Sequence, residues 1–226
     1  MSLLLEAFDN LPKPSANDDL ELWEAGAEDA IREFRQLVET RYSEGTLGRI
    51  LSSSEDDRAR RGAAFALGFV GTMASNALVA SALRTDTDDR VRRYCVDSLW
   101  EIWFRGDNVP QGRELRLALS LNDSALQLAA LGDVIGMYPE FAEAHNQRAI
   151  VWFRRGQHGR AIADCEETLR LNPHHFGAAA GLGQCQLRMN RPHAALRALA
   201  LALELNPALD HLADTIQSLR QTLGGE

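Results

Sequence analysis

The stretch EFAEAHNQRAIVWFRRGQHGRAIADCEETLRLNP (residues 140–173) runs directly into HHFGAAAGLGQCQLRMNRPHAALRALALALELNP (residues 174–207), and both close on Leu-Asn-Pro. Pro139, Pro173 and Pro207 stand 34 residues apart. A fixed period of that length marks stacked units, each too small to bury its apolar face alone. Inside one unit Ala149, Trp152 and Phe153 recur at helical spacing, as do Ile162, Cys165 and Leu169 further on. Each unit is therefore two amphipathic helices that must pair. Gly156 and Asn190 fall between the helices, where a residue that tolerates positive φ is useful.

Residues 142–226 resemble the tetratricopeptide repeat family. By family position the close-packed pairs are Ala149 with Ala161 and Gly183 with Ala195. Trp152 matches the aromatic of the first helix, and Gln186 replaces it in the next unit. Cys165 and Leu199 stand where the second helix usually carries Phe, followed by Thr168 and Ala202 at the small position. The first Trp position departs from the pattern, being His145 and Ala179. A shorter unit is expected upstream from Pro110 to Pro139, with Leu115, Leu117 and Leu119 in one helix and Leu126, Leu128, Leu131 and Val134 in the other. Downstream, Leu212, Ile216 and Leu219 mark a capping helix that ends at Gly224-Gly225.

The first half has a different period, of 32 residues: Asp56-Asp57-Arg58-Ala59-Arg60-Arg61 answers Asp88-Asp89-Arg90-Val91-Arg92-Arg93. Short apolar helices around Leu47 to Leu51 and Leu78 to Leu83 precede the two copies, so these units are helix pairs as well. They resemble HEAT-like repeats, in which an Asp caps the second helix and an Arg follows. The paired Asp and Arg residues predict a ladder of ion pairs between neighbouring copies. Glu28 to Tyr42 is expected to form an amphipathic helix with Ile31, Phe34, Leu37 and Val38 on its apolar face. Asn10 to Asp19, with two prolines, reads as a linker. The expected fold class is all-α, an α-solenoid of stacked antiparallel helix pairs. Residues 1–27 read as an N-terminal arm, 28–107 as HEAT-like repeats and 108–226 as tetratricopeptide-like repeats.

Composition narrows the function. The formal net charge is -8, with 32 acidic against 24 basic residues, which disfavours nucleic acid as a partner. Cys95, Cys165 and Cys185 form no Cys-x-x-Cys pair and read as small core residues. Leu3-Leu4-Leu5 is followed by Glu6 and Asp9, too short and acidic for a signal sequence, and no apolar run approaches the roughly 18 residues of a membrane span. The expected compartment is the cytoplasm, with no membrane partner.

No catalytic, cofactor or metal constellation is apparent. None of the six histidines precedes a Glu, so the His-Glu pairs of iron-binding HEAT-like hydroxylases are missing. His174-His175 opens a helix and reads as a solvent-facing cap. Gly181-Leu182-Gly183 lies within a helix rather than in a phosphate loop, and close helix contact explains Gly183. Trp100, Trp103 and Phe104 widen the apolar arc of their helix and are expected to be buried.

In the tetratricopeptide family the first helix of each unit lines a concave groove. The resemblance implies a peptide-binding set of Asn146, Ile150, Phe153, Arg154, Gln184, Leu187 and Arg188, with Glu143, Gly177 and Ala180 beside it. Arg154 and Arg188 can each grip a carboxylate with two prongs, so an acidic segment of a protein or peptide is the expected ligand. The leading reading is a non-enzymatic adaptor or scaffold. Two alternatives remain, a HEAT-like lyase that attaches a bilin and a homo-oligomeric assembly unit. A further option is a groove filled by the chain's own acidic segment, Asp18 to Glu24.

Overall fold

A computed structural model describes residues 3–12 and 20–224, with side chains in the second stretch from Ala27 onward. Every regular element among the described residues is helical. The chain divides into two compact units, Met1–Ile102 and Trp103–Glu226.

The first unit holds α1 (Leu3–Asp9), α2 (Leu20–Arg41), α3 (Glu44–Ser53), α4 (Asp57–Val70), α5 (Asn76–Thr85) and most of α6 (Asp89–Arg105). The pairs α3/α4 and α5/α6 are the two copies of the 32-residue period. Asp56 caps α4 by accepting from the Arg58 amide, and Asp88 caps α6 by accepting from the Val91 amide at 2.9 Å. The ion-pair ladder is present. Arg60 forks onto Asp86 at 2.7 and 3.1 Å, and Arg61 pairs with Asp88. The copies also repeat a back-bond, Arg60 to the Ser54 carbonyl at 3.0 Å and Arg92 to the Asp86 carbonyl at 2.8 Å.

The N-terminal stretch differs from the expected arm. Residues 3–9 form α1, where Leu4 is 1% exposed and its amide donates to the Tyr42 hydroxyl at 2.9 Å. Phe8 meets Phe34, Phe65 and Tyr94 at centroid distances of 6.3, 5.9 and 5.6 Å. Leu4 and Phe8 lie one helical turn apart, and that short stripe is what docks the segment. The helix expected from Glu28 begins at Leu20. Phe34 and Val38 are buried in it, whereas Ile31 is exposed. Of the expected linker, residues 13–19 lie outside the described residues, as do Asp18 and Asp19 of the acidic segment.

The second unit continues with α7 (Val109–Leu119), α8 (Ser124–Met137), α9 (Ala142–Arg154), α10 (His158–Leu171), α11 (Phe176–Arg188), α12 (Pro192–Leu205) and α13 (His211–Gly224). Successive helices pack pairwise, α9 also touches α11, and α13 covers α12. Antiparallel helix pairs stacked in this way make the fold an all-α solenoid.

The Leu-Asn-Pro signature has a physical role. Asn172 and Asn206 are 1% and 2% exposed and occupy the C-caps of α10 and α12 in extended backbone, the conformation required before proline. The Asn172 Oδ1 accepts from the His174 amide at 3.2 Å, and the Asn206 Oδ1 accepts from the Ala208 amide at 3.0 Å. Each Asn thereby ends one helix and turns the chain toward the next. Gly156 and Asn190 adopt φ of 70° and 55°, as their place in the turns requires.

In the shorter unit, Leu115, Leu131 and Val134 join Phe141, Ala144 and Val151 in one core. Leu117 and Leu126 were expected beside them, but they are 56% and 60% exposed. The helix α8, which carries Leu126, is apolar on nearly every face, so periodicity could not say which of its leucines turn inward.

Candidate functional site

The repeat period sets Phe153-Arg154 on α9 and Leu187-Arg188 on α11 at equivalent positions of neighbouring helices. Arg154 and Arg188 are exposed, and neither guanidinium makes a hydrogen bond or ion pair with any described residue. Ile150 and Phe153 are half-buried, Leu187 is 37% exposed, and Gln184 is exposed. Phe153 packs on His158 at 5.3 Å. The surface thus offers two uncommitted cations beside apolar side chains.

Glu143 and Asn146 are placed differently from the rest of the set. Both are buried, at 1% and 3% exposure. Glu143 accepts from Gln147 Nε2 at 2.6 Å, from Asn146 Nδ2 at 3.2 Å and from His175 Nε2 at 2.8 Å. His175 caps α11, its Nδ1 accepting from the Ala178 amide at 3.0 Å, which leaves the ring proton on Nε2 to be donated to Glu143. The capping expectation for His175 holds, but the solvent-facing one does not: His175 is fully buried. Its ring stacks on Trp103 at 4.1 Å with an interplanar angle of 21°, and Phe176 lies 5.0 Å from the same indole. This buried polar cluster holds α9 against the start of α11.

One signal could have revealed it. His175 falls one 34-residue period after Phe141, which is itself 4% exposed, so the position is a buried one whatever residue occupies it.

An ion pair braces the same repeat. Arg148 forks onto Asp164 at 2.8 and 2.7 Å across α9 and α10, with the His145 Nδ1 at 3.6 Å. Burial would raise the Asp164 carboxyl, but the Arg148 fork and His145 outweigh it and hold the group below the ordinary carboxylate range.

The close approach at Gly183 is real but its partner differs from the expected Ala195. A Cβ there would lie 2.5 Å from Leu199 Cδ2 and 2.6 Å from Leu199 Cγ. The contact sits one turn further along α12.

Among the described residues no group of His, Cys, Asp or Glu is arranged to hold a metal ion, and no helix is long and apolar enough to cross a membrane. The cysteines are buried free thiols, and burial pushes Cys95 up to about 12.

Residues 152–218 match the family model of the tetratricopeptide repeat. A TPR repeat-containing protein of Rhizobium etli is 29% identical over 104 residues, covering 46% of this chain and 50% of that protein. Superkiller complex protein 3 of Homo sapiens is 27% identical over 111 residues, 49% of this chain and 7% of that protein. The match thus spans half of the first relative and a small part of the second. Among solved structures, the TPR2AB-domain:pHSP90 complex of yeast Sti1 shares 18% identity at a TM-score of 0.43, covering 88% of this chain and 77% of that one. A thermophilic TPR protein of Thermus thermophilus shares 21% at a TM-score of 0.38, covering 88% and 94%.

Proposed function

We propose that the protein is a non-enzymatic, cytoplasmic adaptor whose tetratricopeptide-type segment binds an acidic peptide or protein segment on the α9–α11 face. The observation that carries this reading is the pair Arg154 and Arg188. They stand one period apart, exposed and unpaired among the described residues, each next to an apolar side chain, Phe153 or Leu187. Two guanidiniums spaced by a repeat suit two carboxylates on one extended partner, while Ile150, Phe153 and Leu187 supply apolar contact and Gln184 a hydrogen bond. Asn146 acts from below, by fixing Glu143. The helix pairs α3/α4 and α5/α6 are read as a HEAT-like extension of the same scaffold.

The test is fluorescence anisotropy with labelled acidic peptides and composition-matched neutral ones. The acidic set should bind, weaken with added salt, and lose at least roughly tenfold in affinity to the Arg154→Glu, Arg188→Glu double variant. Equal binding by the double variant, or no preference for acidic peptides, would sink the reading.

The exposure of Val109 at 77%, Leu117 at 56%, Leu126 at 60% and Met137 at 55% favours a second reading, in which α7 and α8 join copies of the chain into an assembly. Light scattering that gives a monomer mass at high concentration would remove it.

A further inference from the structure

The 32-residue period places Arg58 and Arg90 at equivalent positions, but they are engaged differently. Arg58 reaches Asp9 at the end of α1. Arg90 is exposed, and its guanidinium makes no hydrogen bond or ion pair with any described residue. One turn further along α6, the ring of Tyr94 is packed against Phe8 and Phe65, at 5.6 and 5.5 Å, while its hydroxyl has no hydrogen-bond partner among the described residues. Arg90 and Tyr94 line the same cavity, of about 260 Å³, within the first unit. Phe8, Phe65, Leu11, Pro12 and Ile31 supply the apolar part of its walls.

The remaining charges around this cavity are already matched. Arg58 is held by Asp9, and Arg61 by Asp57 and Asp88, so each belongs to the framework. That leaves one guanidinium and one phenol without partners among the described residues, both beside an aromatic-walled space. Ligand cavities commonly have this composition, mostly apolar surface with a few convergent polar groups that set orientation and charge.

We propose that this cavity binds an apolar group, one ring or one branched side chain in size, that bears a carboxylate. The group is either the C-terminal residue of a peptide or a free aromatic acid. Size supports the apolar half, because a cavity of roughly 150 Å³ already accepts a benzene ring. Charge supports the other half. The uncommitted guanidinium can meet a carboxylate with two parallel N–H bonds, and the Tyr94 hydroxyl adds a third donor. A phosphate dianion would call for more cationic donors than remain, and an amine would face Arg90 with no free acid beside it.

Calorimetric titration of the full chain tests the proposal with two matched pairs of ligands. One pair is 3-phenylpropionate and its amide, and the other is a short peptide ending in Phe with a free or an amidated terminus. At least one acid should bind saturably, and its amide should bind weaker by roughly tenfold or more, since only the acid forms charge-assisted bonds. Whichever acid binds more tightly identifies the source. Arg90→Gln and Tyr94→Phe should each weaken the acid and leave the amide unchanged. The Arg90 guanidinium makes no bond among the described residues, so Arg90→Gln should melt like the parent. Absence of saturable binding by either acid up to millimolar concentration would overturn the proposal, as would equal binding of acid and amide or an unchanged affinity in Arg90→Gln. Repeating the titration with the Arg154→Glu, Arg188→Glu variant separates this cavity from the α9–α11 face, because binding here should persist in it.

Discussion

At the scale of single residues, Gly183 is a tight constraint inside a helix. A glycine within a helix costs about 1 kcal/mol relative to alanine, and here the cost is offset by letting α11 approach Leu199 on α12. Gly183→Leu should overpack that contact and destabilise the chain by roughly 1–3 kcal/mol, whereas Gln157→Leu, in an exposed turn, should be nearly neutral. Thermal melting of the two variants side by side checks it, and equal midpoints would remove the close-contact argument. The small residue was readable from its repeat position, but its partner was not, because neighbouring turns of α12 present both Ala195 and Leu199 toward α11. Glu143 taught the opposite lesson. A glutamate at a groove position looks solvated, and only the fold brings His175 over it from 32 residues away. Glu143→Ala would remove the carboxylate that accepts from the His175 Nε2–H in a fully buried place, at a cost of about 2–4 kcal/mol by denaturant titration. Asn146→Ala removes only one of three donors to that carboxylate and should cost clearly less. Equal losses would mean that the His175 bond adds nothing.

At the scale of elements, the 32-residue period fixes which helices exist and also how they are tied. Arg60 and Arg61 of α4 reach Asp86 and Asp88 at the start of α6, the link between copies that the matching Asp and Arg clusters implied. The Arg61 hydrogen bond, assisted by the Val91 amide, holds the Asp88 carboxyl well below the ordinary range. For Asp86 burial pushes upward, but the Arg60 fork prevails and its carboxyl is also lowered. Groups with depressed folded pKa values contribute stability that is complete above their unfolded values, near 3.9 or so, and that disappears as pH falls through the folded values. The chain should therefore lose stability progressively below about pH 4. Asp88→Asn keeps a good helix cap but discards the charge, so it should cost roughly 1–3 kcal/mol at neutral pH and show a shallower acid dependence. Parallel pH profiles for parent and variant would exclude the ladder as a source of acid sensitivity. What the period could not show is where a ladder ends. With no third copy downstream, Arg93 lacks the next-copy carboxylate that Arg61 has in Asp88, and Arg58 has a partner that Arg90 lacks because α1, which supplies Asp9, lies outside the repeat altogether.

At the scale of the whole molecule, two periods announce two kinds of helix pair, and proline spacing alone makes the all-α solenoid legible. The seam between them is harder to read. Sequence periodicity put it between residues 107 and 108, whereas the compact units divide between Ile102 and Trp103, inside α6. The reason is a contact far apart in sequence: Trp103 stacks on His175 and touches Phe176, so it completes the core of the second unit from a helix that periodicity assigned to the first. A self-sufficient C-terminal fragment should therefore include Trp103. One beginning at Leu99 should fold as a cooperative helical unit. One beginning at Asn108 keeps all seven later helices, α7 to α13, but exposes the His175 ring and the Glu143 carboxylate beneath it. Removing a buried Trp typically costs about 3–5 kcal/mol, and in a fragment of this size that corresponds to a lower melting midpoint by about 10 °C or more. Circular dichroism melts of the two fragments measure the difference directly. Coincident midpoints would show that the tryptophan stack adds no stability and that the seam lies where periodicity put it. A large drop restored by extending the fragment from Asn108 back to Trp103 would locate the boundary at the indole.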